Sequence, residues 1–451
     1  MSRKRHAFVG TGGRALSFID PLVTAYGERH ELVALCDLSP ARMAYYNKVL
    51  VRDLGHPAVP TYTADRFDAM LRERTPDEVF VATQDSTHHE YIVRALNAGC
   101  DVITEKPMTT DAAKCREIMA AVEASGRRLR VAFNYRWGPF RSRVKELLQR
   151  GAVGSIHSVN LEYLLDTHHG ADYFRRWHAQ IENSGSLLVH KSTHHFDLVN
   201  WWLDAIPRQV FAYGDLAFYG RENAIARGDE KFTRYPRYTG VPEARDDPFC
   251  LDLSESEPFR ELYLAGEADS GYVRDRNVFR EGITIPDQMS VNVRYRTGEL
   301  LTYSLVCYSP REGMRVAFNG DRGRIEYQEF VGSHMNRAVR PGDWSSEEAP
   351  CGEAEGEWIR VYPHFGESYE VPMPADVAQG PHGGADAILN AHFYGPEAAP
   401  DALGRTAGHE QGAASIAIGI AAVESIRTNR PVDISDLVPL APDARHLSEL
   451  A

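Results

Sequence analysis

The segment from His6 to Ala15 does most to restrict the folds open to this chain. His6 to Gly10 reads as a short apolar strand that runs into Gly10-Thr11-Gly12-Gly13-Arg14-Ala15, and Leu16, Ile19, Leu22 and Val23 follow at helical spacing. Strand, tight turn and helix in this order are the opening of a dinucleotide-binding unit. Gly10 permits the sharp turn, Gly12 lets backbone approach a pyrophosphate, and Ala15 is small enough for the helix to pack on the strand. The helix N-terminus then offers amides and a positive dipole end to phosphates, with Thr11, Gly13 and Arg14 around it.

A glycine turn alone is weak, so its surroundings decide. Glu31 to Cys36 is a second apolar strand ending in Asp37, about 20 residues beyond the loop, where a carboxylate accepts both ribose hydroxyls and repels a ribose phosphate. NAD is therefore favoured over NADP. Asp37 could instead cap the helix that follows Leu38-Ser39-Pro40, and Ser39 or Arg42 could admit a phosphate.

At 451 residues and 43% hydrophobic content, the chain exceeds one small core and predicts two domains, 1–137 and 138–451. The formal charge of -13 is spread over both halves. Beyond Arg3-Lys4-Arg5 there is no basic stripe with interleaved aromatics, which argues against nucleic acid and membrane as partners. No apolar run approaches the roughly 20 residues that span a bilayer, and strand formers begin at once, so neither membrane segment nor signal peptide is expected and a cytoplasmic location is. Cys36, Cys100, Cys115, Cys250, Cys307 and Cys351 show no metal-type spacing and read as reduced thiols.

Up to about residue 137, apolar strands alternate with helical stretches, the pattern of a parallel sheet covered on both faces. After residue 150 the strands Ile156 to Leu165, Gln209 to Leu216, Gln288 to Arg296, Leu300 to Tyr308 and Arg315 to Asn319 predict one mostly antiparallel sheet, with Thr297-Gly298-Glu299 as a hairpin turn. The fold class is thus α/β, a Rossmann domain followed by an α+β domain with a large open sheet. Two long insertions, about 220–286 and 328–380, interrupt the sheet. The first is aromatic enough to be ordered and reads as a lid or an oligomer arm.

Four segments together resemble the Gfo/Idh/MocA oxidoreductases, the glucose-fructose oxidoreductase and inositol dehydrogenase relatives. They are Val9 to Arg14; Val81-Ala82-Thr83 through Thr87-His88 to Glu105-Lys106-Pro107; Val131 to Arg136 with Gly151 to Ile156; and Gly185 to Leu203. Ala414 to Val432 is a weaker fifth. The resemblance implies NAD or NADP as redox partner, with Thr83, His88 and Glu105 beside it, and Lys106 orienting a substrate hydroxyl. Lys106 stands where open parallel sheets bind ligands, although a lysine there taken alone would be a surface partner of Glu105.

Ser184 to Leu203 predicts a single helix, with His190, His194 and Asp197 at i, i+4 and i+7 on one face. The family's helix usually reads Asp, three residues, His, two residues, Asp; His190 replaces the first Asp and Ser192 the usual Gly. Oxidising a carbinol needs a base for the hydroxyl proton, and His suits neutral pH. The expected roles are His194 as proton acceptor, Lys106 as electrostatic orienter and His190 as hydrogen-bonding neighbour. The histidine spacing also suits a metal pair, with Asp197, His168 or His169 as third ligand, but nothing else demands a metal and none is expected.

Tyr163, Asp166, His168 and His169 end a strand and precede Tyr173-Phe174-Arg175-Arg176-Trp177-His178, the mixture of ring faces and polar edges that binds sugars. A core aromatic cluster would look similar. Arg175, Arg176 and Lys191 suit an anionic substituent instead. The leading expectation is an NAD-dependent dehydrogenase acting on a secondary hydroxyl of a sugar, glycoside or polyol. Two alternatives stand beside it: an NAD-dependent glycoside hydrolase working by transient oxidation, elimination, hydration and re-reduction, and a non-enzymatic dinucleotide sensor. An open sheet with one uncovered face also predicts a homodimer or tetramer.

Overall fold

The computed structural model describes residues 3–330, 356–373, 384–396 and 401–450. The first part contributes β1 (Lys4–Val9), β2 (His30–Asp37), β3 (Thr61–Thr63), β4 (Glu78–Val81), β5 (Asp101–Thr104) and β6 (Leu129–Val131). They form a parallel sheet in the order β3-β2-β1-β4-β5-β6, which places the carboxyl ends of β1 and β4, on either side of the order reversal, at one crevice. Helices on both faces make the strands almost wholly apolar. Phe8 stacks on Phe80 at 4.8 Å, and Phe18 lies 4.4 Å from the same ring on the helix side. The exception on β4 is buried Glu78, whose charge is met by Arg130 at 2.6 Å and Lys4 at 3.0 Å.

Helix α1 (Leu16–Val23) follows the glycine loop and α2 (Pro40–Arg52) follows β2. The cap of α2 is Ser39, whose side chain accepts from Arg42 N, so Asp37 is not spent as a cap. Gly10 has φ +91°, and a Cβ there would sit 2.3 Å from the Ala82 carbonyl oxygen. Gly10→Ala is therefore expected to cost at least about 1–3 kcal/mol in backbone strain before the clash is counted, and to weaken binding of the expected dinucleotide. Urea unfolding and a fluorescence titration check both.

The second part adds β7 (Ile156–Asp166), β8 (Pro207–Asp215), β9 (Gln288–Tyr295), β10 (Leu300–Ser309), β11 (Gly313–Gly320), β12 (Gly323–Phe330), β13 (Glu357–Pro363), β14 (Tyr369–Glu370) and β15 (Val432–Asp433). Among the described residues they form one sheet in the order β14-β13-β12-β11-β7-β10-β9-β8-β15. Every pairing is antiparallel except β7 with β10. The predicted hairpin joins β9 to β10. Along β7, Val159, Leu161, Tyr163 and Leu165 are buried while Asn160 and Glu162 face out, the period-2 alternation of a sheet covered on one side. Helix Thr193–Leu203 covers the inner face, with Phe196 against Tyr303 at 4.9 Å and Trp202 against Phe318 at 5.4 Å.

The structure differs from the sequence reading at one helix and in the second insertion, and it shows where the first insertion packs. In place of a single helix over Ser184 to Leu203, the chain from Ile181 to Leu203 forms three pieces, Ile181–Ser184, Leu187–His190 and Thr193–Leu203. Ser186 caps the second piece at φ 76°. At its end, Ser192 N bonds Leu187 O and Ser192 Oγ lies 2.8 Å from Tyr303 Oη, which turns the chain before the third piece. The 220–286 insertion folds back on its own chain, from short helical turns that reach α2. Of the 328–380 insertion, β13 and β14 join the sheet, while residues 331–355 and 374–383, with Cys351, lie outside the described residues.

The boundary at 137 is crossed by the end of the chain. Helix Ala385–Tyr394 packs on α1 and on Asn134–Trp137, with Asn390 Nδ2 donating to Ser17 O at 2.9 Å. Val131 N then bonds Ala407 O at 3.0 Å, so the edge of β6 is paired by a late segment. Helix His409–Thr428 runs between the two sheets. A Cβ on Gly419 would meet Leu188 O at 2.3 Å, so only glycine allows this approach.

Candidate active site

The glycine loop and the end of β2 fit a dinucleotide. A Cβ on Gly12 would meet no atom within 4 Å, so the backbone there borders open space, while Ala15 is fully buried against the sheet. Asp37 is buried and held: Oδ2 accepts from Thr11 N at 2.6 Å and from Thr11 Oγ1 at 3.0 Å, and Oδ1 from Ser39 N at 2.9 Å. The Gly13 amide donates to Tyr263 Oη of the insertion at 3.1 Å. Arg14 is locked, its Nε on Glu105 at 2.7 Å and its two terminal nitrogens on Asp386 at 2.7 and 2.9 Å. His88 is buried, with Nδ1 2.8 Å from Pro107 O and Nε2 3.2 Å from Thr83 O, and so ties the β4 loop to the end of β5. Thr83 Oγ1 accepts from Thr87 Oγ1 at 2.9 Å.

Glu105 pairs with Arg14, which leaves the Lys106 side chain for the cleft. Lys106 Nζ donates to the His190 carbonyl at 3.2 Å. Burial pulls its ammonium down to about 8, against the pull of Glu105 and Asp85. On the other side of this contact, His190 Nδ1 lies 2.6 Å from Asp85 Oδ2. Burial lowers His190 well below its ordinary value and the Lys106 charge lowers it further, while burial raises Asp85. Both shifts disfavour the charged imidazolium–carboxylate pair. Nε2 has no hydrogen-bond partner among the described residues.

Aromatic rings wall this couple. Tyr173 lies edge-on to His190 at 5.4 Å, His178 at 4.1 Å, and Trp177 stacks on His178 at 3.6 Å. His169 Nε2 is 3.0 Å from Tyr173 Oη and its Nδ1 is 2.9 Å from Glu312. Burial works against the Glu312 charge, but His169 and Lys191 outweigh it and hold the carboxyl down at about 2. Tyr163 Oη donates to Glu312 at 3.3 Å, and Lys191 Nζ sits 5.0 Å over the Tyr163 ring. His194 is buried and stacks on Tyr135 at 4.0 Å, and Tyr135 Oη accepts from Lys191 at 3.4 Å. His168 is half-buried, lowered to about 4 by burial and then by Arg175. Arg176 bonds Asp172 at 3.0 Å and Tyr272 at 3.3 Å.

Two residues predicted to bind substrate are not brought here. Asp197 gives both oxygens to Arg136, at 2.6 and 2.8 Å, because the helix break turns it away from His190 into the interior. Arg175 is buried against the insertion, donating to Phe249 O at 2.7 Å. Conversely, Asp85 and Glu312 were not singled out. Asp85 had a signal, since a histidine standing where a carboxylate is usual calls for one nearby. Among the described residues no cluster of three or more His, Cys, Asp or Glu side chains could hold a metal ion.

The sheet order and the glycine loop at its crevice are those of a dinucleotide-binding domain. The family model described as "Oxidoreductase family, NAD-binding Rossmann fold" matches residues 4–133, and "Oxidoreductase family, C-terminal alpha/beta domain" matches 145–434. The chain belongs to the Gfo/Idh/MocA oxidoreductase family. It is 37% identical over 451 residues to YteT of Bacillus subtilis (strain 168), named as an oxidoreductase, covering 96% of this chain and 98% of that one. It is 32% identical over 200 residues to the inositol 2-dehydrogenase of Acidothermus cellulolyticus, covering 44% and 52% of the two chains. The aldose-aldose oxidoreductase of Caulobacter crescentus shares the fold, with TM-score 0.60 and 17% identity over 96% of this chain and 100% of that one. No helix among the described residues is long and apolar enough to cross a membrane.

Proposed function

We propose that this chain oxidises a secondary hydroxyl of a sugar, glycoside or polyol, with NAD as its dinucleotide. The observation that carries the reading is Lys106, half-buried at the end of β5 and anchored to the His190 carbonyl at 3.2 Å. Bound at the glycine loop, NAD supplies the hydride acceptor. Lys106 orients the hydroxyl and lowers the cost of charge on its oxygen. His194, its ring fixed against Tyr135, accepts the hydroxyl proton. Tyr163, Tyr173 and Trp177 offer faces to a sugar ring. Relatives named for inositol and aldose substrates support this substrate class. Lys191 is buried with no carboxylate at ion-pair distance among the described residues, which suits a sugar acid.

A second reading, the redox-cycling glycoside hydrolase, is favoured by the Asp85–His190 couple, an acid/base group that simple dehydrogenation does not need. Purified protein with NAD is assayed against polyols, sugars, uronic acids and chromogenic glycosides, following NADH and aglycone in the same wells. NADH without cleavage is the expected result. NAD-requiring aglycone release at constant NAD would replace it with the second reading, and neither signal on any substrate would sink both. His190→Asn is expected to lower the rate by about 100-fold, most strongly on glycosides if the second reading holds.

The outer face of the large sheet presents Asn160, Glu162, Arg315, Arg324, Glu326 and Arg360 around a shallow depression. It lies away from the catalytic cleft and is the face through which a homodimer or tetramer would assemble, which sedimentation measures directly.

A further inference from the structure

The outer wall of the nucleotide groove belongs to the second domain. Residues 257–272 of the insertion lie along α2 and are fastened at both ends. Lys48 and Arg52 reach Glu257 at 2.8 and 2.9 Å, and Arg42 Nε donates to Leu262 O at 2.9 Å. Nearer the loop, Asp269 Oδ2 accepts from Ser39 Oγ at 2.7 Å and from Ala41 N at 3.1 Å.

Those partners are the groups that a ribose phosphate would need. In a sheet of this order the adenosine ribose ends beside the last residue of β2, and a 2′-phosphate is held there by the first amides of the next helix and a nearby arginine. Here that set comprises Ser39 Oγ, Ala41 N and Arg42. Asp269 takes the first two, and Arg42 is turned to Leu262 O and to Ser270 Oγ at 3.4 Å, with Asp37 3.6 Å from its guanidinium. Two carboxylates, Asp37 and Asp269, thus flank the position.

We propose that Asp269, from an insertion 230 residues downstream of Ser39, selects the dinucleotide by occupying the position of a 2′-phosphate and repelling it. The inference rests on the reading of the chain as NAD-dependent and names the residue that enforces it. Hydrogen bonds from Ser39 and Ala41 hold the Asp269 carboxyl below its ordinary value, so the repelling charge persists through neutral pH.

The test is binding, without turnover. Wild-type protein and the variants Asp269→Ser and Asp269→Asn are titrated separately with NADH and NADPH by nicotinamide fluorescence, with thermal melts as a folding check. Wild type is expected to bind NADH the more tightly. Asp269→Ser is expected to tighten NADPH binding by about tenfold, the effect of removing one of two like charges at contact range, with little change for NADH. Asp269→Asn, which removes the charge and keeps the shape, should move in the same direction. An unchanged NADPH Kd in both folded variants would overturn the role of Asp269 while leaving NAD dependence intact. A wild type that binds NADPH as tightly as NADH would overturn the NAD reading itself.

Discussion

Lys106→Met is expected to lower kcat by about 100- to 1000-fold, the usual loss when one preorganised charge is removed from a transition state, while NADH binding stays within a few-fold of wild type. The split follows from placement. In the proposed reading the glycine loop and Asp37 hold the dinucleotide without Lys106, whereas the Lys106 ammonium faces the Asp85–His190 couple across the His190 carbonyl. Its pH dependence follows from the lowered value. An ammonium with an ordinary value of 10.5 would stay charged throughout the working range, but one brought to about 8 by burial loses its proton as pH rises through 8. Hence kcat/KM should fall as pH rises above about 8, and the variant should lack that alkaline limb. Steady-state kinetics with a fluorescence titration give both quantities. A Lys106→Met protein of full activity would exclude the proposed chemistry, and unchanged biological output would leave a dinucleotide sensor as the remaining function.

Arg136→Ala is expected to cost about 3–5 kcal/mol, because it leaves the Asp197 carboxylate buried without its partner. Arg136 is fully buried and Asp197 is 1% exposed. The guanidinium also donates to Gln411 Oε1 at 2.7 Å, so it ties the end of the Rossmann segment to helix Thr193–Leu203 and helix His409–Thr428 together. Replacing both members, Arg136→Met with Asp197→Leu, should recover much of the loss, since an apolar pair of similar volume removes the stranded charge. Urea denaturation of the three proteins measures this. A single variant within 1 kcal/mol of wild type would show that the pair is dispensable.

The nucleotide half of the fold was legible because its information is local. The turn at Gly10 and the strand to Asp37 each depend on a few adjacent residues. β3 was missed because three residues, Thr61–Thr63, carry no periodicity. Over Ser184 to Leu203 the apolar pattern runs on without interruption, and the break after His190 depends on Tyr303, which no local pattern reveals. That break separates His190 from His194 and Asp197, which share the helix Thr193–Leu203. Lys106 was legible from its strand and its neighbours. Its electrostatic setting was not, since Asp85 meets His190 across 105 residues. The same holds for Asp386 on Arg14 and Tyr263 on the Gly13 amide.

The return of helix Ala385–Tyr394 and of Ala407 to the first sheet bears on modular engineering. A nucleotide module excised as one continuous piece would lose the carboxylate of Asp386 from Arg14 and Asn134, and the strand edge of β6 would lie bare. Grafting this module onto another catalytic scaffold therefore takes two stretches of chain, one from each end of the protein. The transplanted unit would inherit its partner's late segment as part of its own structure.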